Sequence, residues 1–256
     1  MIDQAQLTLF LYILIRMTGF VVFNPLWGRT GIPTMIKSGL SLVFAVTVYS
    51  LTSNQAPAPP LTVVELAVKM LAEFAIGYLI AFVMQCFFYV VLQAGQLIDA
   101  QMGMNMSETY DPAMGTNSSL TATLMNIMLV LLFFAANGHI TLLRILLGSG
   151  RVIPYGTVML GTEAATYALE IFVSCVIMAI KLAMPILAAE LLGQLGMGIL
   201  MKVIPQINVF AINFELKIFL GLLLVLLLLP LIGEYLLGME KQMLVAVEQA
   251  LRVAAA

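Results

Sequence analysis

Four methionines, Met102, Met104, Met106 and Met114, are set into a stretch otherwise short of apolar residues, Gly95 to Ser119, reading GQLIDAQMGMNMSETYDPAMGTNSS. Methionine has three rotatable bonds and a polarizable sulfur, so its side chain fills irregular gaps and re-packs readily. The chemistry this suits is sealing, an apolar surface that closes and then opens. Gly103, Gly115 and the Asp111-Pro112 pair punctuate the backbone around the methionines. No longer non-hydrophobic interruption occurs in the chain, and two of its longest apolar runs flank it. The stretch reads as a gate.

Other residue types capable of chemistry are scattered along the apolar runs. Arg16 lies inside Ala5 to Phe23, where a charge is costly unless it pairs, faces water, or snorkels to a headgroup. Glu65, Lys69 and Glu73 recur every four residues, so they line one helical face on which opposite charges can pair or form a polar seam against another subunit. Lys181 lies in the fifth run. Glu215 and Lys217, two apart, point to different faces, so each calls for an external partner. The single histidine, His139 in Asn137-Gly138-His139, has no second histidine or nearby cysteine with which to bind a metal, and a hydrogen-bonded structural role is favoured.

Catalysis finds no support. Leu147-Gly148-Ser149-Gly150 lacks the first glycine of a membrane serine-protease loop, and His139 belongs to the same element. Asp3, Asp99 and Asp111 are the only aspartates, and none lies within an apolar run. A phosphate-cradling glycine loop is absent, and no cofactor is called for. Cys86 and Cys175 each fall inside an apolar run, which favours two buried thiols over a disulfide.

The elements that must position these residues follow from composition. With 62% hydrophobic and 9% charged residues and a mean hydropathy of +1.08, the chain cannot cover a soluble globule with polar surface. It is expected to be an all-α integral membrane protein with about six long apolar helical segments. A net charge of -2 without a basic stripe argues against nucleic acid. Lipid is the expected surrounding.

In chain order, Ala5 to Phe23 is a retained segment rather than a signal peptide, with Asp3 before it and Asn24-Pro25 after it. The following NPLWGRTGIPTMIK holds Trp27 beside Arg29 and Lys37, read as an interfacial anchor. Gly39 to Leu51 is short for a crossing and reads as short, tilted or re-entrant, and a proline-rich loop, Ser53 to Pro60, closes this region. Leu61 to Leu92 is 32 residues, roughly 48 Å of helix against a hydrocarbon core of about 30 Å. Leu120 to Leu147 is the fourth run, and GSGRVIPYG, Gly148 to Gly156, a turn-rich break. Ala164 to Leu192 contains Pro185, predicting a kink, followed by Gly193, Gly196 and Gly198. Ile207 to Leu237 is the sixth run, and Met239 to Ala256 an amphipathic tail for an interface or a partner. Arg29, Lys37 and Lys202 on one side against Arg151, Lys241 and Arg252 on the other leave the positive-inside count tied. Such segments suit assembly with other subunits; a secondary transporter is the alternative, although no repeated halves are evident.

One combination is specific over nearly the whole chain: Arg16 with Pro25, Gly95-Gln96, Gln101-Met102-Gly103, Asp111-Pro112, Asn137-Gly138-His139, Pro185, and Pro205-Gln206-Ile207-Asn208-Val209-Phe210 with Lys217. It resembles the FliR family, the R subunits of the bacterial flagellar type III export gate, related to the T subunits of virulence injectisomes. The resemblance implies one copy of this chain in a hetero-oligomer with P and Q subunits and other membrane components of the export apparatus, in the inner membrane at the flagellar basal body. Residues 1–161 would be P-like and 162–256 a Q-like helical hairpin. The loop 95–119 would plug the pore against unfolded protein substrates, with Met104, Met106, Tyr110 and Met114 as the seal. Pro205-Gln206 would turn the hairpin near the entrance, and Asp111-Pro112 would end the plug.

Overall fold

Apolar runs of some 20 residues leave the backbone in lipid one economical way to satisfy its N–H and C=O groups, the helix. The computed structural model describes residues 4–52, 60–104, 109–111, 116–157, 161–203 and 209–255. Their helices are α1 (Gln4–Phe23), α2 (Thr34–Thr52), α3 (Val63–Met102), α4 (Leu120–Ala135), α5 (Gly138–Val152), α6 (Thr162–Val203) and α7 (Val209–Val253). Five helices are long and apolar enough to cross a membrane, or six crossings result if α4 and α5 count as one broken span. The all-α membrane class is therefore what the composition requires, with one addition. Between α3 and α4, strands β1 (Thr109–Asp111) and β2 (Thr116–Ser118) pair antiparallel.

Several boundaries differ from the sequence expectation. Gly95 does not open a loop, because α3 continues to Met102. Gly95 instead lets α3 abut α4, since a β-carbon there would collide with the Ala122 backbone. Helix α2 is 19 residues long, beginning directly after Pro33, and is neither short nor re-entrant by length. The fourth run breaks at Asn137, whose φ of 60° is left-handed, and α5 departs from α4 at 70°. Helix α6 runs through Pro185 and all three glycines, and α7 absorbs the expected separate tail into one 45-residue helix. Most of the proline-rich 53–60 loop lies outside the described residues.

Two compact units form, one from Met1–Phe87, Asn137–Val173 and Lys241–Ala256, the other from Phe88–Ala136 and Ser174–Glu240. Each draws segments from both sides of residue 161. In the first, α1 buries Leu9, Tyr12, Ile13, Met17 and Phe20 completely. Gly19 and Gly77 bring α1 and α3 together, a β-carbon on Gly19 falling 2.6 Å from the Phe74 carbonyl oxygen. Phe23 then meets Phe74 and Tyr78 edge to face. The tail's Met243, Val247 and Leu251 are buried, and the Tyr167 hydroxyl donates to the Ala246 carbonyl at 3.2 Å. That apolar stripe is thus occupied within the chain, not left for an interface. In the second unit Met125, Leu129 and Phe133 of α4 form the buried stripe, and Tyr235 donates to the Met178 carbonyl at 3.2 Å.

Candidate functional site

The methionine-bearing loop spans residues 103–119, and its two ends are tied to each other. A helix start leaves N–H groups without partners, usually met by the N-cap side chain. Ser119 occupies the N-cap of α4 in extended conformation but makes no side-chain cap. The cap comes from α3 instead. The fully buried Asp99 carboxylate accepts the Thr121 N–H at 2.8 Å and also the Thr121 hydroxyl. A carboxylate at a helix N-terminus is further stabilised by the helix dipole. Asp99 therefore both caps α4 and clamps the loop's base, and it is a buried helical residue rather than a loop aspartate.

Within the loop the hairpin register pairs Thr109 with Ser118, Tyr110 with Asn117 and Asp111 with Thr116. Met102, expected in the seal, is instead in the last turn of α3, fully buried, where α7 presents Gly221. A β-carbon at Gly221 would lie 2.5–2.6 Å from the Met102 Cγ, Cε and Sδ atoms. Met102 belongs to the anchor beneath the loop. Met104 follows Gly103, whose φ of 80° turns the chain out of the helix, and Met104 is half-buried. Met106, Pro112 and Met114 lie outside the described residues, as do Pro205 and Gln206.

Removing the clamp has a defined cost. Asp99→Ala should destabilise the detergent-solubilised protein by roughly 1–3 kcal/mol, since a buried N–H and a buried hydroxyl lose their acceptor. Asp99→Asn, which keeps one acceptor, should cost less. Thermal unfolding and limited proteolysis within 103–119 check both; an unchanged melting point and unchanged cutting in Asp99→Ala would contradict the clamp.

The first unit holds the charge that the sequence left open. Arg16 neither faces water nor snorkels: it is fully buried, and its Nε donates to Glu73 Oε2 at 2.6 Å. Both terminal nitrogens donate to the Ile153 carbonyl at 3.2 Å, and Nη1 reaches Ser149 Oγ at 3.4 Å. The guanidinium carbon stands 4.2 Å from the centre of the Tyr155 ring. Glu73 Oε1 accepts the Gly156 N–H at 2.7 Å. Burial pushes the Tyr155 phenol up, against the opposing pull of the Arg16 guanidinium. Gly77 and Gly150 make room, because side chains there would strike the Arg16 carbonyl and the Tyr155 ring. Three separate segments, α1, α3 and the 153–156 turn, are locked by one ion pair.

Glu73, read from the sequence as an inter-subunit charge, has its partners inside the chain. Glu65 and Lys69 do pair, at 2.8 Å on a partly exposed surface. Such an exposed, solvent-screened pair contributes little to stability. Glu65 also accepts the Leu61 N–H, while its own N–H donates to Thr62 Oγ1, a variant of the capping box that starts α3. Lys181 and Glu215 are exposed and Lys217 is half-buried. Pro25 is buried in a turn organised by Asn24, whose Oδ1 accepts the Leu26 and Trp27 N–H groups. Trp27 packs edge to face on Phe20 and Phe44, so it is a protein contact, and Lys37 donates to the Gly28 carbonyl. Gly138 is buried at the start of α5, and His139 is half-buried beside it. Cys86 and Cys175 are buried, and neither is in a disulfide.

Asp99, Thr121, Ser149, Tyr155 and Gly221 escaped sequence reasoning. One signal was available: two opposite charges in different apolar runs, Arg16 and Glu73, each require a buried counter-charge and can supply it to each other.

Comparison with known proteins gives a consistent set of similarities. The family model described as bacterial export proteins, family 1, matches residues 7–243. The flagellar biosynthetic protein FliR of Escherichia coli strain K12 is 29% identical over 232 residues, covering 90% of this chain and 88% of that protein. FliR of Bacillus subtilis strain 168 is 28% identical over 214 residues, covering 82% and 81%. The Yop proteins translocation protein T of Yersinia pestis is 26% identical over 220 residues, 84% of each.

Proposed function

The chain belongs to the bacterial export proteins, family 1, and from that membership we propose that it is a subunit of the flagellar type III export gate, with its 103–119 loop closing the pore. The observation that carries this reading is the clamped loop. The Asp99 to Thr121 bonds tie the end of α3 to the start of α4 next to the buried Met102, which supports a plug held at its base, and methionine side chains suit a seal that opens and closes. Unfolded flagellar proteins pass when the apolar contacts of Met104, Met106, Tyr110 and Met114 yield, and these close again without reading sequence. The role is mechanical rather than enzymatic, and the energy comes from elsewhere in the apparatus.

Helix length supports assembly. Helix α6 has 42 residues, roughly 63 Å at the helical rise, about twice the hydrocarbon core. Its Leu169 and Leu192, and Leu226 on α7, are 67–69% exposed. Lipid alone cannot cover apolar helix of that length. In this reading P and Q subunits do so, one copy of this chain joining them in the bacterial inner membrane at the flagellar basal body. Residues 1–161 act as the P-like part and 162–256 as the Q-like hairpin, with Pro205-Gln206 at the entrance and Lys181, Glu215 and Lys217 as inter-subunit charges. Similarity to the translocation protein T supports injectisome use as a second reading, at lower identity than the flagellar relatives named above.

Native mass spectrometry of the complex co-expressed with its neighbouring membrane subunits tests the assembly. The expected particle holds one copy of this chain and several copies of two smaller membrane proteins. A monomer or homodimer indifferent to co-expression would overturn the reading in favour of a stand-alone transporter.

A further inference from the structure

We propose that the groove between the end of α2 and α5 binds the phosphate headgroup of an anionic phospholipid, with Arg144 and Arg151 as its ligands. Helix α5 has 15 residues and leaves α4 at 70°, so it is too short to cross the bilayer on its own, which takes about 20 residues. Its two faces differ. Leu142, Leu146, Ser149 and Gly150 are buried, whereas Ile140, Arg144, Arg151 and Val152 are exposed. An amphipathic helix with arginines on the polar face and apolar residues beside them lies at the headgroup boundary and is attracted to anionic lipid.

Arg144 and Arg151 are seven residues apart, two helical turns, so they stand on one stripe. Both line an open groove of about 430 Å³ whose other walls are Leu51, Thr52, Ile140, Leu143, Leu147 and Gly148. None of these is acidic. Of the other cations in this unit, Arg16 is committed to Glu73, Lys69 to Glu65, Arg252 to Glu248, Arg29 to the Pro25 carbonyl and Lys37 to the Gly28 carbonyl, whereas Lys241 lies on α7 and does not line the groove. Arg144 and Arg151 make no ion pair or hydrogen bond among the described residues.

Two guanidinium groups present paired N–H donors that match phosphate oxygens, and the leucines beside them offer a seat for an acyl chain. A free phosphate would leave those apolar walls unused. The floor is open at Gly148, where a β-carbon would meet no atom within 4 Å. A larger residue there can fill the groove without disturbing the packing behind it.

The test uses the full chain purified in neutral detergent, with bound lipid read by native mass spectrometry after incubation with phosphatidylglycerol or phosphatidylcholine of identical acyl chains. Phosphatidylglycerol should be retained selectively. The double variant R144Q/R151Q should weaken it about 30-fold, roughly fivefold for each basic group lost near the membrane surface. R144K/R151K, which keeps the charge but loses the paired donors, should bind more weakly than the parent and more tightly than R144Q/R151Q, and Gly148→Leu, with both arginines intact, should reduce binding by filling the groove. Retention of both lipids alike overturns the proposal, as does undiminished phosphatidylglycerol binding in both R144Q/R151Q and Gly148→Leu. Displacement of the lipid by inorganic phosphate or by polyglutamate at equal concentration would assign the site to a free anion or an acidic protein segment and would overturn it too.

Discussion

Replacing Arg16 by methionine is expected to lower the stability of the protein by about 3–5 kcal/mol, because it strands the Glu73 carboxylate in a site from which water is excluded. Glu73→Gln should have an effect of similar size, leaving the guanidinium without its counter-charge. The double variant R16M/E73L should recover much of the loss. A buried pair is weak evidence of net stabilisation, since desolvation of two charges offsets most of their attraction, but a single unpaired charge carries the full penalty. What the pair adds here is geometry. Arg16 fixes the Ile153 carbonyl and Glu73 the Gly156 N–H, so the 153–156 turn is placed against α1 and α3 by hydrogen bonds on both partners. Unfolding of the detergent-solubilised single and double variants measures the coupling. Strictly additive losses in the double variant would contradict the lock.

The membrane class and the number of segments were legible because they depend on long stretches of residue type, which local polarity decides. Positions of breaks were harder to read. Gly95 resembles a loop start, yet close packing on Ala122 makes glycine equally necessary inside a helix, and composition alone does not separate a turn from a tight crossing. The same ambiguity hid the roles of Gly77 and Gly150. Conversely, Leu120 to Leu147 carries no proline, and the bend at Asn137 rests on a left-handed residue that an Asn-Gly pair only hints at. Of the candidate site, the methionine loop was visible from its composition, but its clamp was not. Asp99 and Thr121 are 22 residues apart, and nothing local marks an aspartate that caps a different helix.

Ion permeability of the sealed complex is the most direct measure of whether the loop closes a pore. Each methionine that is fully buried in a closed seal contributes roughly 1.5–3 kcal/mol, so replacing Met104, Met106 and Met114 together by serine removes about 5–9 kcal/mol from the closed state. A change of about 5.5 kcal/mol is enough to move a two-state equilibrium from 99:1 closed to 1:99. In liposomes containing the co-purified complex, the triple variant should show a resting ion leak that the parent lacks, with the mass and composition of the complex unchanged. If permeability stays at the parent level while the complex remains intact, the methionines do not seal, and the 103–119 hairpin is a packing element rather than a gate.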